Sequence, residues 1–191
     1  DGFRFGSMAS GQQFHLESKA SALIRDLDAV DSTTRVNAYI KLEAAPFLNS
    51  DLQLLHDAVF KTYRYPYGSD TGMSVNNEIS DRIVALNDPA SIDFFTKKYN
   101  VLTNQDHKVL VLTSLAEMKS TESFKAMIGL MKQSSLTIDP YYQFVRPLKD
   151  TIQLTAAFYP ELRKFIRDTV LGGAISTVAL RLLDSSIISK S

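Results

Sequence analysis

Apolar residues recur along most of this chain at spacings of three and four, the rhythm that lines one side of an α-helix, and strict alternation is scarce. Leu16, Ala20, Leu23, Ile24 and Leu27 predict a helix over 14–30. Val36, Tyr39, Ile40 and Leu42 predict the next, with Asp31 or Ser32 to cap it and Pro46 to stop it. Ser50-Asp51-Leu52-Gln53 has the form of a capping box ahead of a third helix through Leu54, Leu55, Ala58, Val59 and Tyr63. The glycine, proline and aspartate of Tyr65 to Gly72 mark a loop.

Two matching helix-loop-helix segments follow, over 77–99 and 109–131. Shifted by 32 positions, Ile83, Leu86, Ile92, Phe95 and Tyr99 fall on Leu115, Met118, Phe124, Met127 and Met131. Asp88-Pro89, Thr103 and Ser120 supply candidate caps within these units. Val109-Leu110-Val111-Leu112 is rich in β-branched residues, yet Leu115 and Met118 continue it at helical spacing. Further on, Asp139-Pro140 opens a short segment that Pro147 must kink or end, Pro160 opens another, and a last helix is expected from Ala174 to Leu183. The sum is an all-α protein with about ten helices. Self-similarity at a fixed period marks an array in which each helical pair buries its face against its neighbours.

The stretch Asp106 to Phe124, with its polar start, apolar first helix, tight turn and second helix ending in Gly129-Leu130-Met131, resembles a HEAT-type repeat. Asp31 to Leu42 resembles the first helix of such a unit, with Arg35 and Ala38 where the family often has an arginine and an alanine. The resemblance implies an irregular α-solenoid of antiparallel helix pairs. It also implies a concave face of the kind that in this family usually binds another protein and less often nucleic acid. The loop at Tyr65 to Gly72 is longer than the family turn and Pro147 interrupts a unit, so bends in the stacking are expected at both places.

Composition changes this picture little. The chain has 191 residues, 45% of them hydrophobic and 22% charged, which is ordinary for one globular domain. Lys plus Arg and Asp plus Glu both number 21, so no global field draws the molecule to phosphate or anionic lipid. The absence of cysteine removes thiolate nucleophiles and Cys-ligated zinc, and leaves the compartment open. Val170 to Leu183, the longest apolar stretch, falls short of the roughly 20 residues that cross a bilayer. Residues 1–13 include Gly6-Ser7-Met8 and Met8-Ala9-Ser10-Gly11-Gln12-Gln13, which resemble a cloning junction and part of an expression tag. They are read as a tag or leader ahead of a single domain over 14–191, itself expected to be a piece of a longer protein.

Candidate chemistry is sparse. His15, His56 and His107 stand on separate predicted helices without a second ligand at metal-binding spacing, so they are expected to face solvent or helix caps. No activated-serine motif accompanies His56-Asp57 or Asp106-His107. Glu78 and Asp81 lie three apart on one helix side and Asp26 and Asp28 flank Leu27, a pattern that solvated helix faces also produce. No cofactor and no metal is expected.

Tyr63, Arg64, Tyr65 and Tyr67 crowd a helix end and loop, and tyrosine and arginine are the residues that carry protein interfaces. With Tyr141 and Tyr142 they form the candidate contact patch; the alternative is that these rings fold back onto the helices as core. Arg146, Lys149, Arg163, Lys164 and Arg167 gather in the last third as a candidate phosphate surface. Ala174 to Leu183 is apolar over much of its circumference, so a second copy or further repeats are expected to cover it.

The preferred reading is a non-catalytic scaffold that binds a protein or peptide through the concave face and the aromatic loop. The alternatives are a nucleic-acid-binding array and an enzyme with spatially assembled carboxylates.

Overall fold

The computed structural model of the chain describes residues 19–64 and 73–133, together with Pro160 and Arg163. Among the described residues the protein is all-helical. Its helices are α1 (Lys19–Asp26), α2 (Ser32–Ala44), α3 (Leu52–Ala58), α4 (Met73–Leu86), α5 (Ala90–Val101), α6 (Gln105–Glu117) and α7 (Thr121–Lys132), with a 3-10 turn at Asn49–Asp51 ahead of α3. Seven of the roughly ten expected helices fall within the described residues; the expected helices beyond Gln133 lie outside them.

Local chemistry sets most of the boundaries. Asp31 begins α2 by accepting the Thr34 amide at 2.7 Å and the Thr34 hydroxyl at 2.8 Å, and these bonds hold its carboxyl below the usual carboxylate range. The Arg35 guanidinium donates to the carbonyls of Ala29 and Val30, both at 2.7 Å, which fixes the turn between α1 and α2.

Two caps differ from expectation. Asn104, not Thr103, caps α6, because its side chain reaches the Asp106 and His107 amides at 2.8 and 3.3 Å. Ser50 makes no cap ahead of α3; Asp51 instead accepts the Leu48 amide at 2.9 Å, and Gln53 turns outward to Asp57.

Helix α3 also stops at Ala58 rather than running to Tyr63. The Ala58 carbonyl accepts the Tyr63 hydroxyl at 3.1 Å, and the carbonyls of Val59 and Lys61 accept the buried Asn76 amide of α4 at 2.7 and 2.8 Å. Carbonyls satisfied from outside no longer need a further helical turn.

The internal repeat is visible in the backbone. Among the described residues, the non-glycine positions with positive φ are Asn87 at 49° and Lys119 at 50°, which stand 32 apart. Each ends the first helix of its unit in a left-handed residue, and the next residue caps the second helix. Asp88 accepts the Ala90 amide at 2.9 Å, and Ser120 exchanges bonds with Ser123 in a reciprocal capping box.

Three of the five matched pairs are buried in both units, while Leu86 and Ile92 are half-buried where Met118 and Phe124 are buried. Ile83 and Leu115 are fully enclosed, as are Phe95 and Met127, and Tyr99 and Met131 keep 3% and 2% exposure. Helix α4 packs on α6 and α5 packs on α7, while α6 also contacts α5 and α7. Helices α1, α2 and α3 close the other side, with α2 and α3 packed on α4. One apolar core joins Leu27, Leu42 and Leu55 of the first part to Ile79, Leu112 and Phe124 of the repeated part. Arg82 ties the two by donating to the Glu43 carbonyl at 3.0 Å.

Candidate functional site

The repeat lays α4 beside α6 with both presenting a polar stripe. Asn77, Ser80 and Asp81 on α4 face Asp106, Thr113, Ser114 and Glu117 on α6, at the three- and four-residue steps that keep side chains on one helix face. Between them lies an open cleft of about 420 Å³. Its floor is tight because serine occupies both contact positions: the buried hydroxyls of Ser80 and Ser114 bond each other, and Ser114 donates to the Leu110 carbonyl at 2.6 Å. Small paired hydroxyls let the helices approach without stranding a polar atom.

The walls are acidic. Asp81, Asp106 and Glu117 line the cleft, and none of its described lining residues is basic. Burial, then the negative charge of Asp81, pushes the Glu117 carboxyl above its ordinary range, with Lys119 opposing. Burial and Glu78 push Asp81 up as well, against Arg82. Asp81 sits exposed at the rim, so solvent screens much of its share, whereas half-buried Glu117 feels more of the repulsion. Arg82 does not neutralise the cleft, because its guanidinium is engaged by Glu78 and by the Glu43 carbonyl.

The Glu78 and Asp81 spacing therefore separates into two roles: Glu78 holds Arg82, and Asp81 joins Glu117. Asp26 has a similar local use, pairing with Arg25 at 3.1 Å. The repeat makes Asp81 the sequence equivalent of Thr113, one helical turn before Glu117, but the facing of the two stripes depends on the register of α4 on α6, which pairs Ser80 with Ser114.

His56 departs from the expected solvent-facing or cap placement, whereas His107 lies in the first turn of α6, where its amide donates to the Asn104 cap at 3.3 Å. His56 is 8% exposed, with its ring parallel to that of Phe94 at 3.8 Å between centroids and its Nε2 3.2 Å from the Ser91 hydroxyl. His107 is half-buried and tilts against Phe60 at 5.5 Å. Burial pulls both imidazoles below their ordinary value, against the pull of Asp57 and Asp88 on His56 and of Asp106 on His107. His15 lies outside the described residues.

Of the candidate contact patch, Tyr63 is 4% exposed with its hydroxyl spent on Ala58, so its ring belongs to the core. Burial, with Asp28 nearby, pushes that hydroxyl far above the ordinary tyrosine range. Arg64 is exposed beside it. Tyr65, Tyr67, Tyr141 and Tyr142 lie outside the described residues. Of the candidate phosphate surface Arg163 is exposed, and Arg146, Lys149, Lys164 and Arg167 lie outside the described residues.

Among the described residues, no group of three or more His, Asp or Glu converges as a metal site. No described helix is long and apolar enough to cross a membrane. Compared with known protein families, curated proteins and solved structures, the chain matches none.

Proposed function

We propose that the chain is a non-catalytic protein- or peptide-binding module of the HEAT-like, α-solenoid kind, and that the α4–α6 cleft takes a lysine- or arginine-bearing segment of its partner. The observation that carries this reading is a cleft whose carboxylates have no cation among the lining residues, set on two helices held in register by the repeat. An ammonium or guanidinium placed between Asp81 and Glu117 relieves their mutual repulsion, and exposed Asn77 offers a polar group at the same rim. The stacked helices supply the surface without having to reorder, which limits the entropy cost of binding.

The same carboxyls favour a second reading, acid–base chemistry, since a carboxyl held above its ordinary range gives up its proton nearer neutrality. Such chemistry works through carboxyls in contrasting environments. Burial drives Asp81 and Glu117 in the same direction, which supports binding over catalysis.

The test is fluorescence anisotropy of the whole chain with labelled peptides of matched length, one set rich in Lys and Arg and one rich in Asp and Glu. The cationic set binds, binding weakens with added salt, and Asp81→Asn with Glu117→Gln lowers affinity by about tenfold or more, the ratio equivalent to roughly 1.4 kcal/mol. Equal binding of both sets, or affinity unmoved in the double variant, would overturn the assignment.

A further inference from the structure

Four rings from α3, α5, α6 and the residues after α3 make a continuous array. His56 of α3 stacks on Phe94 of α5; Phe94 lies 5.9 Å from Phe60, which follows α3; Phe60 lies 5.5 Å from His107 of α6. Phe95 meets the edge of Phe60 at 6.4 Å. Helix α3 is backed by α4, and it meets α5 and α6 through these side chains. Both ends of the array are imidazoles.

We propose that the array His56–Phe94–Phe60–His107 is a pH-sensitive latch, holding α3 against α5 and α6 at neutral pH and releasing it in acid. This inference is independent of the binding role assigned to the cleft.

The charges around each ring set the direction. Facing His56 are Asp57 on its own helix, Asp88 at the start of α5, and Asp93 and Lys97 across the groove beside it, while Lys98 sits 5.8 Å over the Phe94 ring. The aspartates favour a charged His56, but they are otherwise engaged: Asp57 accepts Gln53, Asp88 caps α5 and Asp93 pairs with Lys97. Burial outweighs them. Beside His107 stand Asp106, exposed, and Lys108, whose ammonium lies 5.4 Å over the Tyr99 ring of α5. Again burial dominates.

A group of this kind binds its proton less tightly in the closed latch than in the open one. The stabilisation is therefore complete above the ordinary imidazole value of 6.5 and is lost as pH falls below it. Charging His56 also places a cation against the Phe94 ring and the buried Ser91 hydroxyl, where burial disfavours it. The groove lined by Gln53, Asp93 and Lys97 gives the proton a route to the ring.

The test follows the histidine rings of the whole chain by NMR from pH 8 to pH 4.5, with amide exchange measured in parallel and corrected for the chemical rate. His56 and His107 titrate below 6.5. As they do, protection of α3 and the first turn of α5 falls by about tenfold over one pH unit, the factor that accompanies one proton, while α7 is unchanged. The variants H56F and H107F keep the rings and remove the protons, so together they abolish the pH dependence. A His56 ring that titrates at or above 6.5 overturns the latch in the wild-type chain alone, should a variant fail to fold. So does an acid-driven loss of protection that persists in H107F combined with H56F.

Discussion

The units α4–α5 and α6–α7 share a skeleton, a left-handed turn residue and a cap position, yet α6 packs closely on α7 while α4 scarcely touches α5, and the two units do different work. In the first, α4 turns one face to α6 and another to α2 and α3, so Asn76 is spent on closing α3 and Arg82 on the end of α2. In the second, α6 lies between α4, α5 and α7, and it buries Val109 to Leu112 and Ser114 to Ala116. The same apolar repeat thus fixes where helices lie, and the polar positions between its members decide what each unit holds. The acidic cleft arises where two such polar stripes meet.

Truncating the matched core positions should break the equivalence most. Leu115→Ala and Ile83→Ala both open fully enclosed sites, for losses in the range of about 2–5 kcal/mol. The loss is larger at Leu115, because α6 buries more of its residues than α4 does and has less freedom to collapse. Urea unfolding of the two variants checks this, and a larger loss at Ile83 would contradict the central position of α6.

Asn76 and Lys108 occupy equivalent registers with unequal duties. Asn76→Ala strands carbonyls of Val59 and Lys61 and costs about 2 kcal/mol. Lys108→Ala removes a cation over Tyr99 and costs about 0.5 kcal/mol. Thermal unfolding at one pH separates the two; similar costs would mean that Asn76 does not close α3.

The turns should respond in the opposite direction. Lys119→Gly relieves a side chain held at φ 50° and stabilises by about 0.5–1 kcal/mol, and Asn87→Gly gains less because asparagine tolerates this region. Destabilisation at Lys119 would show that its backbone is not left-handed.

The smallest effect lies in the cleft. Glu117 has a folded value above its ordinary 4.5, so the folded state holds that proton more tightly than the unfolded chain does, and stability is lost as pH rises through the raised value. Glu117→Gln therefore raises stability at neutral pH and changes it little in acid. Denaturation at pH 7 and pH 4 measures the difference; a loss at pH 7 would show the carboxylate to be compensated.

The repeat and most helix spans were legible because they depend on local periodicity and on caps such as Asp31 and Ser120. The errors at Thr103 and Ser50 are competitions between adjacent cap residues, which composition alone does not decide. The early end of α3 was not legible, since it is set by Asn76 from another helix. Nor was the burial of His56, whose partner Phe94 is distant in the chain. The cleft needed both the repeat and the register between α4 and α6; either unit alone shows only a solvated face.

The stacking of one unit on the other is the claim on which the cleft depends, and the absence of cysteine makes it directly measurable. Spin labels on cysteines introduced at the exposed, equivalent positions Asp93 of α5 and Lys125 of α7 report whether these helices are neighbours. Packed helices lie roughly 8–10 Å apart, so strong dipolar broadening is predicted for the folded chain and its loss in urea. A folded chain without broadening would contradict the stack.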